Sequence, residues 1–272
     1  MNFSEKNDCL NCDTPLTADF CGHCGQEKAE RISFSLLLKI MQRGIIEFKS
    51  PLLVTFFGLF INPGKVYREY LDGKRTTYFN PIRYSFWLIT LALFVAAYYS
   101  TSIIDFGAFF SEEEQKSNPL TKLKLKDFLD SSIIYITFIN ALISAISLKL
   151  FFRKEKYSIS ELYIPCLLNY SQVFIIAIIM IPIGFYTTIQ GQLFYFACAT
   201  VYFVWGISHL FENRTWKTYF KVIISGILSY IAFSILFGVL VVLNIGMQQF
   251  IDDSKSLQDS APIVAPQKLQ SQ

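Results

Sequence analysis

Long runs of apolar residues occupy most of the chain after its first third. Five of them are at Ser85–Ile104, Ile133–Phe152, Leu167–Thr187, Leu193–Phe211 and Val222–Ile245. Each has room for roughly 19–24 residues, enough for a helix to cross the hydrocarbon core of a bilayer. The pattern therefore predicts an all-α integral membrane protein with about five transmembrane helices.

Two shorter apolar patterns precede the first long run. Residues 31–49 have a helical period and a mostly basic polar face, which predicts an amphipathic helix in the membrane interface. The stretch Pro51–Ile61 is well short of the ~20 residues that a spanning helix needs, and the turn signal Asn62-Pro63-Gly64 follows it. We expect an interfacial or re-entrant element at 51–61, with a sixth span as the alternative.

These patterns divide the chain into four parts. Residues 1–30 are polar and Cys-rich, and 31–84 hold the interfacial helices and a basic-aromatic segment. Residues 85–245 form the five-span domain, and 246–272, rich in Gln, Ser, Pro and Asp, are predicted to be a disordered tail. Only 17% of the residues are charged, against about 25% in a soluble domain, so the composition also indicates a lipid environment.

The distribution of Lys and Arg predicts an orientation. Eleven of these residues precede the first long run, four lie at the end of the second or just after it, and three follow the fourth, so that 18 of 24 lie on one side. The positive-inside rule then places the N-terminus in the cytoplasm and the C-terminus outside. The first thirty residues contain no apolar stretch of the kind found in secretory signal peptides.

Four cysteines near the N-terminus have the spacing of a metal site. Cys9-x2-Cys12 and Cys21-x2-Cys24 form two knuckles, which together supply the four sulfurs of a tetrahedral site suited to Zn²⁺. Since so few residues cannot build a hydrophobic core, the metal would supply the folding energy. Four protein ligands leave no open position, which predicts a structural zinc. Two disulfides in an exported domain, a redox role and ligation by His23 are the alternatives.

A family resemblance rests on two groups of residues. The first is the knuckle sequence FCxxCGQ at 20–26. The second comprises Asn62-Pro63-Gly64, Tyr70, Gly73, Arg75, Tyr78, Pro81 and Tyr84. Together they resemble bacterial membrane proteins of domain-of-unknown-function family 3667. The resemblance covers about the first 95 residues well, and the later spans only in general layout. It implies a zinc ribbon joined to a multi-pass region in a bacterial inner (cytoplasmic) membrane, and it implies no activity.

The basic-aromatic segment between Lys65 and Arg83 has two interpretations. Its five cations alternate with aromatic residues, which is typical of an anchor with its rings at the lipid headgroups. The functional alternative is a contact for anionic lipid headgroups or another phosphate, made by Lys74, Arg75 and Arg83. A formal net charge of +3 is too small to indicate a nucleic-acid partner.

The membrane region contains little that indicates catalysis or coupled transport. The predicted spans hold almost no ionisable residues, which ion-coupled transporters usually need. Asn169 and Gln172 share one helix face, where hydrogen bonds between helices are favoured over a substrate site. The sequence has no GxSxG, HExxH or phosphate-cradling glycine loop, so we do not expect an enzyme.

The leading hypothesis is therefore a non-enzymatic interaction or regulatory protein. Its ribbon would contact a protein partner, and its spans would contact membrane lipids. A passive permease or lipid-handling protein is the alternative, and an enzyme acting on lipids inside the bilayer is a third. A polar cavity around Asn169 and Gln172 would favour transport, whereas a packed bundle would favour interaction.

Overall fold

A computed structural model describes residues 8–28, 33, 51–101, 119–212 and 215–259. Within these ranges it has seven α-helices, α1 (Pro51–Ile61), α2 (Pro63–Leu71), α3 (Pro81–Tyr98), α4 (Pro119–Phe151), α5 (Ile159–Met180), α6 (Ile189–Ser208) and α7 (Trp216–Asp259). The described residues up to Phe233 form one compact unit, and the described residues from Ser234 onward form a second. The amphipathic helix predicted at 31–49 lies outside the described residues except for Ser33.

Five helical segments are long and apolar enough to cross a membrane. They are α3, Ser131–Phe151 of α4, α5, α6 and Trp216–Leu240 of α7. The prediction of an all-α multi-pass protein with five spans is confirmed. The third span begins at Ile159, earlier than the predicted Leu167, because Ser158 and Glu161 form a capping box at its start. Pro165 lies inside this helix, as prolines of membrane helices can.

The end of the last helix differs from the prediction. α7 continues to Asp259, so the prediction of a disordered tail from residue 246 is wrong for residues 246–259. The prediction of disorder rested on the Gln, Asp, Ser and Lys residues of this stretch. All of these residue types are compatible with a helix. Pro262 and Pro266, which would end a helix, come only afterwards. Residues 260–272 lie outside the described residues.

Helix α5 lies at the centre of the first unit. It packs against α3, α4 and α6, and also against the short helices α1 and α2. Small residues allow the close approach: Ala92 of α3, Ala141 of α4 and Ala177 of α5 are completely buried. Ser171 of α5 also donates a hydrogen bond to Ser85 of α3.

Serines attach α7 to α4 inside the chain. The Oγ atoms of Ser144 and Ser229 are 2.5 Å apart. Ser147 donates to the backbone carbonyl of Ser225 at 2.9 Å. Ser225 and Ser229 are four residues apart, so both lie on the face of α7 that contacts α4.

Helix α1 begins and ends on the same side of the bundle. Near its start, the hydroxyl of Thr55 accepts a hydrogen bond from the amide of Phe79, which lies just before α3. After its end, Gly64 touches His209, the residue that follows α6. The start of α3 and the end of α6 share a side because four candidate spans, those of α3, α4, α5 and α6, lie between them along the chain. At 11 residues α1 is too short to cross.

The motif Asn62-Pro63-Gly64 begins a helix, whereas the sequence pattern predicted a turn. The side chain of Asn62 accepts a hydrogen bond from the amide of Lys65, and Pro63 is the first residue of α2. A Cβ atom added to Gly64 would lie 2.0 Å from the carbonyl oxygen of His209. Glycine is therefore required here because the backbones of α2 and of the end of α6 are in contact.

The aromatic residues of the basic-aromatic segment face the protein. Tyr67, Tyr70, Tyr78, Phe79 and Tyr84 are all at most 7% exposed. The interpretation of these rings as headgroup anchors is therefore wrong. Tyr67 and Tyr70 are three residues apart, so they share the buried face of α2. The hydroxyls of Tyr78 and Tyr84 donate to Glu69 and Gln172, which satisfies polar groups that burial would otherwise leave without partners.

Candidate metal centre and its docking site

The N-terminal cysteines lie on two similar hairpin turns. In the first, the amide of Cys9 donates to the carbonyl of Thr14, and in the second the amide of Cys21 donates to the carbonyl of Gln26. Antiparallel bridges join Asp8 to Pro15 and Phe20 to Glu27. The residue after the second cysteine of each turn has a positive φ, 58° at Asp13 and 71° at Gly25. These residues tolerate the left-handed conformation that such a tight turn requires.

The two turns bring four sulfur atoms together. The Sγ atoms of Cys9, Cys12, Cys21 and Cys24 all lie within 4.8 Å of one another. Two of the distances, Cys9 to Cys24 and Cys12 to Cys21, are 3.5 Å. A tetrahedral zinc with Zn–S bonds of about 2.3 Å would hold its sulfurs about 3.8 Å apart. The arrangement therefore fits a tetrahedral metal ion.

The same distances argue against the disulfide alternative. A disulfide bond needs sulfurs about 2.05 Å apart, and all six cysteines of the chain are free thiols. His23, the other alternative ligand, is exposed. Four cysteine sulfurs already complete a tetrahedron without it.

The environments of two of the thiols differ. The hydroxyl of Thr14 lies 3.3 Å from the sulfur of Cys12, and this contact is the main cause that lowers the pKa of Cys12 to about 6. Burial raises the pKa of Cys9 to about 12. A metal ion needs deprotonated thiols, so a metal bound at this centre would displace a proton from Cys9.

One residue of the ribbon, here defined as residues 8–28, attaches it to the membrane domain. The side chain of Gln26 is 4% exposed, and it enters the turn Gly73–Thr76 between α2 and α3. Its Nε2 donates to the carbonyl of Gly73 at 2.7 Å. Its Oε1 accepts from the amides of Arg75 and Thr76, at 3.0 and 3.1 Å, and from the hydroxyl of Thr76 at 3.2 Å. One amide side chain thus makes four hydrogen bonds to a single turn.

A second contact joins the first knuckle to the same region. The hydroxyl of Thr77 donates to Oδ1 of Asn11 at 2.6 Å. Asn11 lies between Cys9 and Cys12, so each knuckle contributes one amide side chain to the contact. Sequence reasoning did not assign a role to either residue. Gln26 was part of the FCxxCGQ motif, and its position directly after the second knuckle was the available signal.

The three cations considered as anion contacts lie close to this docking site along the chain. Lys74 and Arg75 are in the turn Gly73–Thr76, here called the docking turn. Arg83 is in the first turn of α3, where its amide donates to Asn80. Lys74 pairs with Glu69 at 3.3 Å. Burial acts to raise the pKa of Glu69, but hydrogen bonds from Tyr78 and Lys74 outweigh burial and lower it.

Arg68 joins α2 to the end of α6. Its guanidinium donates to the carbonyl of His209 and, at 3.4 Å, to that of Leu210. Carbonyls at the C-terminus of a helix lack partners within the helix and carry partial negative charge. Arg68 therefore stabilises the end of α6 and fixes α2, from which the docking turn continues.

Asn169 and Gln172 of α5 are buried between neighbouring helices. Nδ2 of Asn169 donates to the hydroxyl of Tyr67 and to the carbonyl of Tyr202, at 3.4 and 3.3 Å. Gln172 accepts from Tyr84 and donates to the carbonyl of Phe56 in α1. Both side chains are at most 2% exposed, so at Asn169 and Gln172 the bundle is packed.

Residues 50–95 match the model of a family described as a protein of unknown function, DUF3667. The resemblance to DUF3667 is confirmed over this range. The match includes α1, α2, the docking turn and most of α3, so Gly64, Arg68 and Gly73 all lie in the DUF3667 segment. The cysteine ribbon lies outside it. No curated protein and no solved structure has a significant match to this chain.

Proposed function

We propose that this chain is a non-enzymatic interaction or regulatory protein of a bacterial cytoplasmic membrane. In this proposal a zinc-stabilised ribbon is held on the cytoplasmic face, with the N-terminus inside and the C-terminus outside. The observation that carries the proposal is the packing of Asn169 and Gln172. Nδ2 of Asn169 and both polar atoms of Gln172 bond to tyrosines and backbone carbonyls of neighbouring helices. A packed bundle supports an interaction role over a permeation path.

Zinc is the metal that four thiolates in a tetrahedral arrangement fit best. Cys9, Cys12, Cys21 and Cys24 would hold it, and it would act as a structural ion by supplying the folding energy of the ribbon. Phe20, which is 57% exposed beside Cys21, supports a protein partner on the ribbon because exposed aromatic residues are enriched at interfaces.

Lipid handling is the second candidate function. Lys74 and Arg75 support it, because the turn that carries them leads to Phe79, whose amide donates to Thr55 of the short apolar helix α1. With Arg83, they would contact anionic headgroups or another phosphate at the membrane surface. Arginine suits this role because its planar guanidinium can donate to two phosphate oxygens at once.

Affinity purification of the full-length protein from detergent tests the leading proposal. Proteins that co-purify with the parent are compared with those that co-purify with Phe20→Ala, which alters an exposed ribbon residue that is not a cysteine ligand. We expect at least one partner to be enriched with the parent and depleted with Phe20→Ala. Identical protein partners for both, together with solute flux through proteoliposomes of the parent, would instead favour the permease.

A further inference from the structure

The docking turn has the donor arrangement of an anion site. The backbone amides of Arg75 and Thr76 and the hydroxyl of Thr76 all donate to one oxygen, Oε1 of Gln26, at 3.0 to 3.2 Å. The Arg75 amide shares its hydrogen with the carbonyl of Gly73, at 2.9 Å. The turn starts with Gly73 at a φ of 111°, which a residue with a Cβ rarely adopts. Successive backbone amides that converge after a turn form a nest, and nests bind anions.

We propose that the Gly73–Thr76 turn is an oxyanion-binding nest that Gln26 occupies from within the chain. An oxyanion, such as a phosphate group, and the ribbon would then exclude each other from the turn. This inference rests on the proposed anion contact at Lys74 and Arg75, and it adds the backbone donors and the competitor. The Oε1 atom of Gln26 is a neutral acceptor, and a charged oxygen forms roughly twice as strong a hydrogen bond with the same donors.

Both positive and negative side chains surround the docking turn, and both would affect the binding of an oxyanion there. Lys74 and Arg75 bring two cations into the turn itself. Glu69 and Asp72 are the acidic residues of the preceding helix end. Glu69 is paired with Lys74, and Asp72 faces the positive charges of Lys156 and Arg68. Burial raises the pKa of Asp72, the carboxylates of Glu212 and Glu69 act in the same direction, and the two cations oppose them. The amides of Arg75 and Thr76 both donate to Gln26.

The position of Gln26 depends on the metal centre. Gln26 follows Cys24-Gly25, and its carbonyl accepts the amide of Cys21 at 2.8 Å, so the second knuckle fixes its backbone. Loss of the metal would remove the folding energy of the ribbon and withdraw Gln26 from the turn. Because the two occupants compete, the oxyanion also weakens ribbon docking by the same factor by which docking weakens oxyanion binding.

The test uses full-length, zinc-loaded protein in an uncharged detergent. Inorganic phosphate is the probe, and equilibrium dialysis measures the bound phosphate. Gln26→Ala empties the nest, and we expect it to bind phosphate about tenfold more tightly than the parent, a typical coupling between linked sites. Thr76→Val in the Gln26→Ala background removes one donor and should reverse part of this gain. Asn11→Ala is the matched control, because it removes the other ribbon contact and leaves Gln26 in place.

An experiment in nanodiscs distinguishes a phosphate of a lipid headgroup from a soluble phosphate. Hydrogen exchange at Arg75 and Thr76 of Gln26→Ala is followed in phosphatidylcholine alone, with added inorganic phosphate, and with phosphatidylglycerol. Slower exchange with phosphatidylglycerol would assign a lipid headgroup, and slower exchange only with inorganic phosphate would assign a soluble ligand.

Two results would overturn the inference. One is equal phosphate affinity of Gln26→Ala and the parent, and the other is unchanged exchange under all three nanodisc conditions. If Arg75→Gln still lowers retention of anionic lipid in that case, the proposed contact through side chains stands without the nest. Loss of zinc from Gln26→Ala would be seen by metal analysis of the same sample.

Discussion

Gly64 and His209 are in backbone contact: a Cβ on Gly64 would lie 2.0 Å from the carbonyl oxygen of His209 and 2.5 Å from its carbonyl carbon. A backbone cannot move aside as a flexible side chain can, so any larger residue at position 64 must separate α2 from the end of α6. The same separation would pull Arg68 away from the carbonyls that it caps.

Gly64→Ala should accordingly be strongly destabilising. We expect a loss of about 2 kcal/mol or more, in the range found for overpacked cores, and measured as a lower apparent melting temperature in detergent. Gly238→Ala is the control, because a Cβ at position 238 would meet no atom within 4 Å. A Gly64→Ala protein that melts with the parent would show that the two backbones are not in contact.

Arg68 should be needed for its geometry as well as its charge. Arg68→Lys keeps the positive charge but replaces the guanidinium that reaches two carbonyls. We expect it to lower stability by about 1 kcal/mol, and Arg68→Gln by about 2 kcal/mol. Thermal unfolding of both is compared with Lys65→Gln, which alters an exposed cation of the same helix. Equal melting of all three would contradict the capping role.

Purified protein should contain one zinc per chain. Cys12→Ser and Cys24→Ser should each lower the zinc content strongly, and Cys198→Ser, in α6, should leave it unchanged. Acidification should release the metal, because protons compete with it for the thiolates. Elemental analysis measures all of these. Zinc near zero in the parent, or a different metal at full occupancy, would refute the prediction.

The orientation can be tested with reporter fusions. Fusions at residue 30 and directly after residue 62 should report the cytoplasm, and a fusion at the C-terminus should report the outside. The reasons are the 18 of 24 Lys and Arg residues on one side and the 11-residue length of α1. A reporter that is exported at residue 62 but not at residue 30 would show that α1 crosses.

Arg75 distinguishes a phosphate pocket from a general electrostatic surface. A cation near an anionic membrane contributes about 1 kcal/mol whichever residue carries it, so in a general surface Arg75→Lys should retain lipid as the parent does. In a pocket that uses the guanidinium, Arg75→Lys should lose nearly as much as Arg75→Gln. Retention of phosphatidylglycerol by the purified proteins is the measurement, and full retention by Arg75→Lys would exclude the pocket.

The parts of this fold that were predictable are those with a short-range physical signal. Apolar runs of spanning length gave the five membrane helices, and cysteine spacing predicted the four sulfurs that lie together. The basic-aromatic segment was misread because alternation of cations and rings suits a headgroup anchor as well as a packed helix. Only the tertiary structure shows that Tyr67 has Asn169 as a partner, 102 positions later in the chain.

The contact of Gln26 was beyond prediction for a similar reason. The position of Gln26 directly after the second knuckle does not identify its partner, because its four hydrogen bonds go to residues 47 to 50 positions away. The motif Asn62-Pro63-Gly64 was predicted to be a turn and begins a helix. Asn and Pro are common in both places, so the motif alone does not distinguish them. The close contact of Gly64 depends on α6, far away in the sequence.

The distance along the chain between Gln26 and its turn has a consequence for synthesis. The ribbon leaves the ribosome before the docking turn has been made, since folding during translation proceeds from the N-terminus. At that stage Gln26 lacks its partners in the docking turn, and in the proposed zinc ribbon the metal alone would hold the two knuckles together. The supply of zinc to the nascent chain would thus decide whether the ribbon is already folded when α3 enters the membrane and brings its binding site into place.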